Sequence, residues 1–231
     1  MQDTLRSSRN DLAAVVALAL VAALWAAGWR GSAPDGWVWV AMRLSGVVGY
    51  VALAFTVALG ALTRSRYLPG WLAKPVQFGW HGVLSGTGLV LMAAHVALTL
   101  VDTAYPQTLR GVLVPGLATY LPVALAFGTL AAYAMVVPYV SYAFKRRLAP
   151  TWVRGLHLFA YPAFALATFH GVMAGSDRLP WLYPSALAVV TAATAVRLLE
   201  RRGGSAGSAG NRPRGPEPRP DSGPGSRDAR A

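Results

Sequence analysis

The sequence predicts an all-α membrane protein, a bundle of six transmembrane helices. Three observations predict it. First, 55% of the 231 residues are hydrophobic and 13% are charged, whereas about a quarter of a soluble domain is charged. Second, Asp, Glu, Lys and Arg are absent from 12–29, 44–63, 75–101, 111–144, 155–176 and 179–196. About 18 to 20 apolar residues cross the hydrocarbon core, so each window can hold a span. Third, 17 of the 21 Lys and Arg fall on one side of the resulting topology. An ordinary soluble enzyme and a disordered chain are both excluded by this arithmetic.

The elements follow in order. Residues 1–11 form a short polar N-terminus. The first span, 12–30, is Ala/Val/Leu-rich, and Trp25 and Trp29 sit where interfacial anchors belong. Its apolar part is longer than the core of a secretory signal, so it reads as a retained helix. The second span is 38–62 and the third 76–101. Pro115 and Gly116 break the long window after Arg110, which puts the fourth span at 118–143. The fifth is 152–174, and Pro180 opens the sixth, 180–199. The membrane domain thus covers 12–202. From Gly203 to Ala231 the chain is mostly Gly, Ser, Pro and Arg, and reads as a disordered cytoplasmic tail.

The net charge of +12 is a topology signal. The N-terminus, the 2–3 loop, the 4–5 loop with its Lys145-Arg146-Arg147 cluster, and the C-terminal flank hold the 17 cations. Arg30, Arg43, Arg110 and Arg178 lie on the other side. Positive residues stay cytoplasmic, so both termini are expected inside a plasma membrane, and no nucleic-acid partner is implied. The absence of cysteine excludes disulfides, iron–sulfur clusters, thiolate zinc sites and covalently attached haem.

All four histidines lie within spans: His81 and His95 on the third, His157 and His170 on the fifth. Ionisable groups at such depth are functional candidates. One buried histidine is readily explained by a hydrogen bond to a neighbouring helix; four in two pairs, with none elsewhere, are much harder to explain that way. Both spans start at the cytoplasmic side, so His81 and His157 are inner and His95 and His170 outer. The separations of 14 and 13 residues correspond to roughly 21 and 19.5 Å of rise. His81 can therefore face His157, and His95 can face His170. Paired imidazoles across a helix gap suit bis-His ligation of a haem iron. A metal ion without porphyrin fits less well, because the spans offer no carboxylate or thiol nearby. Phase is the difficulty. At about 100° per residue, 14 residues return to within about 40° of one face, but 13 miss by about 140°. Pro162 lies between His157 and His170 and is the expected site of a bend.

These residues carry a family resemblance. The two histidine pairs resemble the ferric reductase-like transmembrane domain family. It includes ferric reductases, NADPH oxidases and the haem subunit of a periplasmic methionine sulfoxide reductase system. Trp152-Val-Arg-Gly-Leu-His157-Leu-Phe-Ala-Tyr161 is similar to the Trp, Leu-His and Tyr run that opens the corresponding family helix. Ala41-Met-Arg43-Leu-Ser-Gly46 resembles the Arg-x-x-Gly start of the family's second helix. The resemblance covers about 12–200.

It implies two haem b groups between helices 3 and 5, passing electrons from a cytoplasmic donor to an extracytoplasmic acceptor. No Gly-x-Gly-x-x-Gly run follows Glu200. The expected form is therefore a stand-alone haem subunit with a separate flavin reductase, FMN or FAD being bound here or on that partner. Arg43 and Arg154 are candidates to pair with haem propionates, although both also serve as topology cations. Trp80 and Tyr161 flank the candidate ligands, although most Trp and Tyr of such a bundle are interface anchors, and Gly79, Gly82, Gly86 and Gly88 would let either a porphyrin or a neighbouring helix approach the backbone. Two other functions share these residues: a quinol-linked cytochrome b, and a transporter or proton channel using the histidines as a relay.

Overall fold

The computed structural model describes residues 36–63, 65, 74–175 and 179–210. The predicted first span lies outside them, as does the tail beyond Gly210. The described residues form seven helices and no strand. They are α1 (Trp37–Leu62), α2 (Lys74–Val101), α3 (Leu109–Leu113), α4 (Pro122–Ala143), α5 (Pro150–His157), α6 (Ala160–Ala174) and α7 (Leu182–Gly210). With α5 and α6 taken as one span, five are long and apolar enough to cross a membrane.

Three boundaries differ from the sequence expectation. The fourth span starts at Pro122 instead of 118. A residue before proline is pushed out of the helical region, and Leu121 has a φ of 43°. The released segment, 102–121, is an ordered connection. Asp102 accepts hydrogen bonds from the backbone N–H groups of Ala104 and Tyr105, Gln107 Oε1 accepts from Thr119 N at 3.0 Å, and Tyr105 stacks on Tyr120. The fifth span is two helices. The last helix runs to Gly210, past the expected tail boundary at Gly203. Its Gly-rich end has weak helix propensity, and extension from a formed turn is the favourable contribution there.

α1 is the centre of the assembly. It packs along α2, α6 and α7, whereas α4 packs along α5 and α6. The side of α1 that meets α2 is small, with Ser45, Gly49, Ala52 and Thr56 buried. In lipid, helices gain little from hiding apolar surface, so close contact between small residues holds them together. Gly49 shows this, since a Cβ there would sit 3.4 Å from Leu91 Cβ on α2. Tyr50 anchors the other face. Its ring stacks on Phe164 at 5.6 Å and tilts against Tyr183 at 5.3 Å, and its hydroxyl bonds Thr168 Oγ1 at 3.0 Å. The outward surface carries exposed Phe55, Val136, Phe169 and Val189. That surface suits acyl chains and would be a liability in water.

This arrangement gives two helix hairpins, α1–α2 and α4–α5/α6. The histidine-bearing member of each, α2 in one and α5/α6 in the other, packs on its own hairpin partner and makes almost no backbone contact with its counterpart. If the α1–α2 seam holds the first hairpin, Gly49→Leu should destabilise the detergent-solubilised protein by about 1–3 kcal/mol through overpacking. Gly79→Leu should be tolerated, because a Cβ at Gly79 meets nothing within 4 Å. Thermal unfolding of the two variants checks the difference.

Candidate functional site

The structure brings together the two imidazole pairs expected from depth. The ring centroids of His81 and His157 are 5.9 Å apart, with 50° between planes. Those of His95 and His170 are 6.0 Å apart, with 78° between planes. All four side chains are half-buried, consistent with facing a gap between hairpins instead of a sealed core.

A local change in helix geometry lets 13 residues match 14. Between α5 and α6, Leu158 N bonds Gly155 O, Phe159 N bonds Leu156 O, and Tyr161 N bonds Leu158 O, all three residues back. Pro162 has no N–H for the Leu158 carbonyl, which Tyr161 takes instead. Such tight turns add roughly 20° and 0.5 Å per residue relative to α-helix. Over about four residues, the 13-residue separation gains enough to rise roughly 21 to 22 Å and miss its starting face by roughly 60°. Straight α2 gives roughly 21 Å and 40° over its 14 residues, so the two levels coincide.

The nitrogen not facing the gap is also specified. His95 Nδ1 lies 2.7 Å from the Met42 carbonyl, His81 Nδ1 3.1 Å from that of Thr56, and His170 Nδ1 2.9 Å from that of Ala124. The backbone partner of His157 is the Pro138 carbonyl. A carbonyl only accepts, so Nδ1 of the first three rings carries the proton. Nε2 of each neutral ring is then left with its lone pair. Carbonyl-anchored Nδ1–H groups are the usual orienting shell of metal-ligating histidine.

Glycines make this approach possible. A Cβ at Gly46 would sit 3.0 Å from His95 ring atoms, one at Gly60 3.3 Å from His81 Cε1, and one at Gly128 2.8 Å from His170 Nδ1. Sequence reasoning placed backbone access on the glycines of α2. Gly88 of that set instead packs near Ala52 and Met135, in ordinary helix contact. A readable signal existed: Gly46 and Gly60 are 14 residues apart, as are His81 and His95 on the antiparallel neighbour.

The pair spacing suits an iron between two imidazoles. Two metal–nitrogen bonds of about 2.0–2.1 Å, plus about 1.1 Å from each nitrogen to its ring centroid, give roughly 6.3 Å. Among the described residues no group of three or more His, Cys, Asp or Glu could hold an ion. A porphyrin supplies four nitrogens of its own, so two protein ligands suffice for haem but leave a bare ion under-coordinated. The sparse contact between the histidine-bearing helices fits a flat group between them better than direct side-chain packing.

The remaining candidates divide. Arg43 follows Met42 on α1, at the level of His95, and its guanidinium lies 4.5 Å over the Trp39 ring. Arg154 is exposed on α5 at the level of His157, and its Nε donates to Pro150 O at 3.2 Å. Each stands at the depth expected for its pair. Trp80 is 56% exposed and turned outward, and Tyr161 packs against the Tyr50–Phe164 core. Their proximity in sequence to His81 and His157 reflects lipid-facing and core roles.

The pairing has a direct chemical test, because the chain has no cysteine to remove. His81→Cys with His157→Cys, and His95→Cys with His170→Cys, should cross-link with a short bifunctional thiol reagent. The crossed combinations, 81 with 170 and 95 with 157, should not. After cleavage within 102–121, joined fragments on a gel report the bond.

Comparison of the chain with family models, with curated proteins and with solved structures finds no match.

Proposed function

We propose that this protein carries electrons across a membrane through two bis-His b-type haems. The carrying observation is the repeated pair: two imidazole couples at two levels, each with centroids about 6 Å apart. His81 and His157 would hold the inner haem, His95 and His170 the outer. When bound, haem b supplies a reversible one-electron couple at iron. The chain's own residues hold Nδ1–H of His81, His95 and His170 on backbone carbonyls, which leaves the Nε2 lone pair of each free for iron.

Orientation comes from the cation distribution, with both termini cytoplasmic in a plasma membrane. Exposed Lys145, Arg146 and Arg147 lie at the inner-pair end, where a separate flavoprotein donor would dock. Arg154 at that end and Arg43 at the other are placed to pair with propionates. The acceptor takes electrons at the outer end, in the manner of a ferric reductase-like domain. A proton relay is a poorer reading. The spans carry no Asp, Glu, Lys or Arg between the two levels, and three Nδ1–H groups are committed to carbonyls instead of to one another.

Reconstituted vesicles loaded with ferricyanide test the proposal. External dithionite, which does not cross lipid, should reduce the internal ferricyanide only when the protein is present. His81→Ala or His95→Ala should each lower that rate to the protein-free level, since either breaks the chain between the two levels. Unchanged reduction in both variants would remove the proposal.

A further inference from the structure

We infer that Gly46, Gly60 and Gly128 are positioning residues that set the rotation of the ligand imidazoles and make the two haem sites electronically unlike. The inference rests on the haem reading above.

One local unit occurs three times. A carbonyl at position i accepts a histidine Nδ1–H, and position i+4 is glycine: Met42 with Gly46, Thr56 with Gly60, Ala124 with Gly128. In an α-helix, residues i and i+4 lie one above the other on the same face. The imidazole therefore lies across the glycine with its nitrogen on the carbonyl one turn away. Glycine weakens a helix interior, so local helix preference does not explain its recurrence at these contact points. Any side chain would push the ring, since the three added Cβ atoms would come within 2.8 to 3.3 Å of it.

The fourth histidine lacks the unit. His157 has the Pro138 carbonyl, but position i+4 is Tyr142, over whose ring Lys145 Nζ lies at 3.7 Å. The outer pair is thus braced by glycine from both hairpins, through Gly46 and Gly128. The inner pair is braced from one side, through Gly60. The plane angles differ accordingly, 78° outside and 50° inside. Axial-ligand orientation is one of the protein's levers on a haem iron: near-perpendicular imidazoles give a more anisotropic low-spin ferric signal than less crossed ones.

Low-temperature paramagnetic resonance of the oxidised holoprotein tests this. The unaltered protein should show two low-spin signals of unequal anisotropy; two identical signals would overturn the inference whether or not any variant folds. Gly46→Ala and Gly128→Ala should each shift the more anisotropic signal, and its midpoint potential, while leaving the other in place. Gly60→Ala should do the reverse. Gly155→Ala, where an added Cβ meets nothing within 4 Å, should change neither. Spectra of the Gly46 and Gly128 variants that superimpose on the original at full haem content would also overturn it. Absence of any low-spin haem signal in the unaltered protein would strike the haem reading itself.

Discussion

The arrangement depends on one interaction, the hydrogen bond from a histidine Nδ1 to a backbone carbonyl of the neighbouring helix. In an apolar medium a free imidazole N–H is expensive, and no water is at hand to satisfy it. The carbonyls of Met42, Thr56 and Ala124 satisfy three such groups. Each bond also selects a tautomer, stops ring rotation and ties two helices together. The orientation of these three rings is thereby decided by backbone and not by a mobile side chain.

Much of this was legible in the residues. Charge-free windows located the five spans among the described residues, and the depths of the histidines paired His81 with His157 and His95 with His170. The 13-residue spacing was not resolvable by helix arithmetic. A proline announces an interruption, but the compensating twist resides in a backbone hydrogen-bond pattern around Leu158 that no side chain encodes. Carbonyl partners were invisible for the same reason, since any residue type supplies a carbonyl. The glycines were visible, but the three that face the imidazoles were not singled out. Those on α2 drew attention because they flank His81, whereas a ring is accommodated by glycine on the helix it leans against. Gly46 stood within the Arg-x-x-Gly resemblance, and its contact with His95 gives that glycine a physical role.

The two hairpins act as halves of one device. In each, one helix offers carbonyls 14 residues apart, at Met42 and Thr56 or at Ala124 and Pro138, and the other offers the histidines. Each hairpin is internally well packed, while the histidine-bearing helices barely touch. The contact that joins the two hairpins runs instead through α1, whose Tyr50 stacks on Phe164 and bonds Thr168 of α6. The small residues of α1 serve two needs. Gly49 and the buried alanines bring helices close, and Gly46 and Gly60 make room for imidazoles on the same helix.

The central claim is that two b-type haems sit at two levels in one chain. Haem content per polypeptide, measured on the purified, folded protein, tests it most directly. Two protohaems per chain are expected, with the reduced-minus-oxidised difference spectrum of low-spin cytochrome b. A folded protein that remains colourless after expression with ample haem supply would contradict it.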